Sequence, residues 1–170
     1  HLLERNLPSV FNALKSANTD FEIIIIDDCS TDDSVAFLIQ SYPTIRLIIS
    51  DQNQGFSATC NKGIALAEKD LILLLNTDIE LNNIYFETQF KYFELPDTFG
   101  VMSKIIGAKN GETQDTARFL KYSGFKIKAN DFFYVEDENF LTPTAYLSGA
   151  NALIDAKKLK EIGGFDEIFS

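Results

Sequence analysis

The sequence predicts an α/β fold in which a mostly parallel sheet is flanked by helices and followed by a smaller region of hairpins and loops. Three observations lead there. Two short stretches, the Ile run at 23–26 and the LILLL run at 71–75, are apolar without alternation, the pattern of strands covered on both faces. Each stops on polar residues, Asp27-Asp28 in one case and Asn76-Thr77-Asp78 in the other, and helical periodicity fills the chain between them. From Gly107 to Leu141 the texture changes to short aromatic and polar pieces typical of hairpins.

The elements follow in order. Leu3, Leu7, Val10, Phe11 and Leu14 lie at helical spacing, with Asn6 available as a cap and Pro8 acceptable in a first turn. The first apolar strand then empties into Asp27-Asp28-Cys29-Ser30-Thr31-Asp32-Asp33. Ser30, Thr31 or Asp32 can cap a helix through Val35, Phe37, Leu38 and Ile39, which Pro43 stops before a strand at 45–49. Asn53-Gln54-Gly55 marks a turn, a helix covers 57–68, and the strand at 71–75 follows. A helix is expected near 84–93 and a strand near 100–106. After the hairpin region, order returns at 145–154, with a short helix at 155–162 and then Gly163-Gly164-Phe165-Asp166.

Composition excludes several classes of function. With 170 residues, 45% of them hydrophobic, the chain can bury a core as one domain. Its net charge of −10 repels phosphate backbones, so nucleic acid is not an expected partner. An anionic small molecule would need a metal cation or backbone N–H groups to offset that repulsion. His1 is the only histidine, which excludes a Ser-His-Asp triad or a HExxH zinc site within the fold and leaves acid–base work to carboxylates. Cys29 and Cys60 lack CxxC spacing and fit a reducing, cytoplasmic setting. The apolar runs are too short to span a bilayer.

Ligands of open α/β sheets sit beyond the carboxyl ends of the strands. One aspartate at such an end more often caps a helix or solvates a loop, but acidic ends on two strands together favour a site for Mg²⁺ or Mn²⁺, with a diphosphate completing the shell. Gly55 before a helix, and Asn61-Lys62-Gly63 within it, are weaker signals, since a turn glycine and a surface amide explain them equally well. Leu147-Ser148-Gly149-Ala150 reads first as a strand with a close backbone approach at the glycine. The Phe and Tyr residues from Phe119 to Phe140 can stack on a sugar, although filling a core is their commoner use.

The succession IIIIDDCSTDDS, DQNQGFSATCNKGI, LILLLNTDIEL, YLSGANALI and IGGFDEIF resembles the family-two inverting glycosyltransferases of the GT-A (Rossmann-like) fold, in particular their rhamnosyltransferase-like branch. The resemblance implies that Asp27 hydrogen-bonds the nucleotide base beside Asp28. Asp78 takes the last place of the DxD motif and holds the metal, while Asn76 replaces its first Asp and gives up one charge. Asn61 and Gly63 would line the donor pocket, and Gly149 with Ala150 would lie near the donor sugar and acceptor. Phe165-Asp166-Glu167 would lead to the catalytic acid. Residues 1–106 then form the nucleotide-sugar-binding half of one domain and 107–170 its acceptor-side half. The implied partners are a UDP- or dTDP-sugar, a divalent metal (Mg or Mn) and a glycan or lipid-linked acceptor of cell-envelope polysaccharide synthesis. Peripheral membrane association at the inner face is expected in the full-length protein.

Relative to that family, an opening strand is expected before His1 and the catalytic base after Ser170, so the chain is expected to be a fragment without turnover of its own; within it only Asp166 and Glu167 are substitutes for the base. Two alternatives remain open from the residues. A receiver-type phosphoacceptor domain also combines an acidic pair after one strand with an aspartate after a later one, although Asn76 and Thr77 intervene here. A degenerate transferase retained as a nucleotide-sugar-binding module is the other.

Overall fold

The computed structural model describes residues 2–129, 132–135 and 143–169. Helix α1 (Leu2–Ala17) begins before Asn6, so the expected cap is instead an interior residue, 2% exposed, whose Nδ2 donates to the Thr77 carbonyl at 2.8 Å. Pro8 also lies inside the helix and forgoes the amide bond to the carbonyl of Glu4. Strand β1 (Ile24–Asp27) pairs in parallel with β2 (Arg46–Ile49), and α2 (Ser34–Ser41) forms the crossover. Asp32 supports the start of α2 by accepting the Ser34 amide at 3.0 Å. Helix α3 (Phe56–Leu66) leads to β3 (Leu71–Leu75), as the apolar pattern predicts.

Beyond β3 the expected elements are shorter. The helix expected at 84–93 is a single turn, α4 (Glu87–Phe90), running into a 3-10 turn at Lys91–Glu94. Asn82 competes with a longer helix by accepting the Ile84 amide on its side chain at 2.8 Å. The strand expected at 100–106 is two pieces, β4 (Gly100–Met102) and β5 (Ile105–Ile106). They part at Ser103, whose amide donates to Asn151 Oδ1 at 3.0 Å and whose carbonyl accepts from Asn151 Nδ2 at 3.1 Å, a side chain standing in for a strand partner. Strand β6 (Thr113–Asp115) pairs with β5, and β7 (Lys121–Ser123) with β8 (Lys126–Lys128), both antiparallel, which are the hairpins expected after Gly107. The final strand β9 (Asn151–Asp155) is shorter than the ordered stretch expected from 145 and precedes α5 (Ala156–Glu161), which Asp155 caps by accepting the Lys158 amide at 2.9 Å.

Strand β9 lies between β3 and β4 and runs antiparallel to both. The strand pairing is therefore mixed: the β1–β2 pair is parallel, while in the three-stranded sheet β3 and β4 share a direction and the antiparallel β9 comes from the later half of the chain. Among the described residues no ladder joins the β1–β2 pair to the β3–β9–β4 sheet.

Strand alternation explains why β3 reads as unbroken apolar sequence. Leu71, Leu73 and Leu75, with Leu153 of β9, face Ala13 and Leu14 of α1 together with Leu81, Tyr85 and Phe86. Ile72 and Leu74, with Ala152 and Ile154, face Ile64 of α3 and Leu159 of α5. Both faces of the sheet are covered, fully at Leu153 and Ile154 and partly along β3, so a polar residue would forgo about 1.5–3 kcal/mol at the former and less at the latter.

Candidate functional site

The site is built where β1 and β3 end and α3 begins. Asp27 closes β1 and is 7% exposed; its Oδ2 accepts the Ser30 amide at 3.1 Å, and its carbonyl accepts the Ser50 amide at 2.9 Å. Cys29 turns the chain away from the strand in the left-handed region, φ 68°. The Asp28 carboxylate accepts the amides of Gln54 at 3.0 Å and Gly55 at 2.9 Å. It thereby latches the 53–55 turn in front of α3, where Gly55 (φ 82°) supplies the backbone conformation the turn requires. Partial desolvation pushes the Asp28 carboxyl up, but the two amides and the Lys62 charge outweigh it and hold it below the usual carboxylate range.

Asn76, Thr77 and Asp78 form an exposed turn after β3. Its place is fixed from two sides: the Thr77 carbonyl by Asn6 of α1, and the Asn76 amide by the Ala150 carbonyl at 3.1 Å. The second bond brings the 149–150 segment to the Asn76-Thr77-Asp78 turn, an adjacency that spacing alone does not give. Gly149 in turn lies under the ring of Phe56, the first residue of α3; a Cβ there would stand 2.9 Å from Phe56 Cζ. The segment before it is tied down by Asp115, which accepts from Tyr146 Oη and from Arg118 Nη2, the latter at 3.0 Å. Burial and the neighbouring Asp115 carboxylate push the Tyr146 phenol up to about 12.

Asn61 and Gly63 occupy less expected positions. Asn61 Nδ2 donates to the Phe165 carbonyl and to Glu167 Oε1, both at 2.9 Å, while its Oδ1 accepts the Phe165 amide at 2.8 Å. Its amide is thus committed to clamping the 163–167 segment onto α3, assisted by the edge contact of Phe165 with Phe56, ring centroids 5.5 Å apart. Gly63 faces the sheet, where an added Cβ would meet Ile26 Cγ1 at 3.7 Å. Asp166 is exposed and accepts the Ile168 amide at 2.9 Å.

The sequence assigns no part in the site to Lys62, Ser50 or Asn6, reading Asn6 as a helix cap and Lys62 only as the middle of Asn61-Lys62-Gly63. Lys62 Nζ donates to the hydroxyl of buried Ser50 at 2.9 Å, which sets a cation beside Asp28 at the ends of β1 and β2. Its position between Asn61 and Gly63 was the available signal. Among the described residues no three His, Cys, Asp or Glu side chains gather to hold a metal. Asp78 and Asn76 nevertheless suit Mg²⁺ or Mn²⁺, which take one or two protein oxygens and fill the shell with substrate phosphate and water.

A family model described as glycosyl transferase family 2 matches residues 1–163. An uncharacterized glycosyltransferase of Nostoc sp. is 29% identical over 113 residues, which are 64% of this chain and 35% of that protein. The uncharacterized glycosyltransferase YibD of Escherichia coli is 37% identical over 73 residues, 41% of this chain and 21% of that protein. The chain spans 20–35% of the length of the curated relatives it matches. Among solved structures, residues 1–349 of TarS from S. aureus superpose with a TM-score of 0.63 at 17% identity, over 98% of this chain and 47% of that one. The mannosyltransferase PcManGT from Pyrobaculum calidifontis, in complex with GDP-Man and Mn²⁺, gives 0.63 at 15% identity over 98% and 44%. These likenesses establish the GT-A fold. The family match decides against the receiver-type alternative, and since it takes in nearly the whole sequence, the chain belongs to glycosyl transferase family 2.

Proposed function

We propose that the protein carrying this chain transfers a sugar from a nucleotide-diphosphosugar to an acceptor hydroxyl with inversion, residues 1–106 supplying most of the donor site and 107–170 facing the acceptor. The observation that carries this reading is the convergence on the start of α3: Asp28 latches the turn before it, and Phe56 at its first residue covers Gly149, whose neighbour Ala150 bonds the Asn76 turn. Asp27 would accept a ring N–H of the base and Asp28 would position the turn beside it. Asp78 and Asn76 would hold a divalent metal, which when bound neutralises the diphosphate as it leaves. Lys62 adds a cation on the same side. Gly149 and Ala150 would lie near the sugar, Gly149 making room for the Phe56 ring, and Gly63 would stand where α3 packs on β1. Of the two acids at the end of the chain, Asp166 is the freer to act as a base, because Glu167 is engaged by Asn61.

Two neighbours, solved with GDP-Man and Mn²⁺ and with UDP-GlcNAc, support a nucleotide-sugar donor. The free thiols Cys29 and Cys60 fit a cytoplasmic setting, where a glycan or lipid-linked acceptor of cell-envelope polysaccharide would be met at the membrane's inner face.

Calorimetry with UDP-, GDP- and dTDP-sugars, with and without Mn²⁺, tests the reading. One donor should bind in a metal-dependent way, and Asp78→Ala should weaken it by more than about tenfold, the lower figure for losing even an outer partner of a metal ligand, with an unchanged circular dichroism spectrum. Equal affinity in Asp78→Ala, or no metal-dependent donor at all, would overturn it. Donor binding without turnover in the full-length protein would mark a retained binding module instead.

A further inference from the structure

The β7–β8 hairpin has features that nothing in the donor site uses. Every residue from 119 to 128 is exposed, with Tyr122 at 77%, Ile127 at 61% and Phe125, in the turn, fully open to solvent. The register pairs Tyr122 with Ile127, Lys121 with Lys128 and Ser123 with Lys126. Because successive strand residues alternate in direction, Tyr122 and Ile127 share one face and the three lysines share the other. Three lysines and no acid among eight residues stand out in a chain of net charge −10. A two-stranded ribbon of this kind is marginal in water by itself, and three large apolar side chains on its outer end add surface that water disfavours.

We propose that this hairpin docks the protein on an anionic lipid bilayer, with Phe125, Tyr122 and Ile127 entering the interface while Lys126 and Lys128 reach the lipid phosphates. Charge selects this occupant, since an acidic body is repelled by an anionic surface everywhere except at a locally basic element, which therefore also sets the orientation of approach. Shape agrees with it: a convex aromatic tip needs a matching pocket on a protein partner, but a bilayer interface admits it without one. No described helix is long and apolar enough to cross a membrane, and strands of three residues reach no further than the interface. The proposal rests on the membrane-face part of the functional reading and not on the donor chemistry.

Co-sedimentation with phosphatidylglycerol/phosphatidylcholine vesicles and with phosphatidylcholine vesicles alone tests it. Binding should require phosphatidylglycerol and fall with salt. Each lysine near an anionic surface contributes about fivefold in partitioning, so Lys126→Glu with Lys128→Glu should weaken binding by more than about 25-fold. Phe125→Ser should weaken it by about tenfold or more, the effect of losing one buried aromatic. The proposal is overturned if the protein ignores anionic vesicles, if both variants bind like the parent, or if Phe125→Ser instead dissociates a dimer seen by sedimentation equilibrium. Donor calorimetry on the same variants separates the two readings: unchanged donor affinity with lost vesicle binding supports docking, and failure of vesicle binding leaves the donor result standing on its own.

Discussion

Asn61→Ala isolates the clamp between α3 and the 163–167 segment. The substitution removes three hydrogen bonds of 2.8–2.9 Å. Two are reciprocal bonds to the partly buried main chain of Phe165, each worth about 0.5–1.5 kcal/mol net. The third, to exposed Glu167, adds only a few tenths of a kcal/mol, about what a solvated contact gives. The sum is about 2 kcal/mol, a factor of roughly 30 in the opening of the segment. A melting temperature would understate this, because alanine is a better helix former than asparagine by about 0.5 kcal/mol. Residue-resolved hydrogen exchange avoids the problem: the Phe165 amide should exchange about 30-fold faster, while Leu153, 2% exposed in the sheet core, should not change. Asn61→Asp, which keeps the acceptor for the Phe165 amide, should retain part of the protection. If Phe165 exchange in Asn61→Ala stays within about threefold of the parent, the clamp is wrong. A loss of donor affinity without that change would point to direct donor contact instead.

Gly163 and Gly164 offer a paired comparison, since both have positive φ (85° and 75°) and share a backbone cost of about 1–2 kcal/mol for alanine. Only at Gly164 would the new Cβ meet a neighbour, Asn61 Oδ1 at 2.4 Å, which its own hydrogen bond to Phe165 holds in place. Gly164→Ala should therefore lower the urea midpoint more than Gly163→Ala, and equal losses would contradict the packing. For Asp28 the pH dependence has a definite sign. Its folded carboxyl lies below the unfolded value of 3.8, so its stabilisation is present above that pH and disappears as pH falls through the folded value. Asp28→Asn should melt below the parent near neutral pH and converge with it in acid as the parent's carboxyl protonates; a gap that does not narrow as pH falls would show that ionisation is not the cause.

The strands were legible where burial on both faces forbids polar residues, which is why LILLL at 71–75 has the bounds observed for β3. The acidic strand ends were equally plain, since each apolar run stops on polar residues, Asp27 closing β1 and Asn76 following β3. Elements held by distant side chains were not. Nothing near Ser103 announces that Asn151 will take both its main-chain groups, and nothing near Asn61 shows that its partners lie 104 and 106 residues away. Local pattern reads that asparagine as a surface amide and the family resemblance implies pocket lining, whereas its hydrogen bonds run to Phe165 and Glu167. Asn6 shows the same limit: as a residue type it suits a helix cap, but its bond to Thr77 spans 71 residues and draws it into the helix interior.

The interruption between the two ladders has a consequence for how copies of this polypeptide behave toward one another. Strands β1 and β3 each carry one rim of amide and carbonyl groups that no described strand completes, along stretches made almost wholly of Ile and Leu. Such rims are templates for an added strand, from another molecule as readily as from the same one. A net charge of −10 opposes such addition between copies, and the opposition fades near the sequence pI of about 4.5. Turbidity in mild acid, relieved by restoring the charge, is accordingly the expected sign of strand addition at these rims.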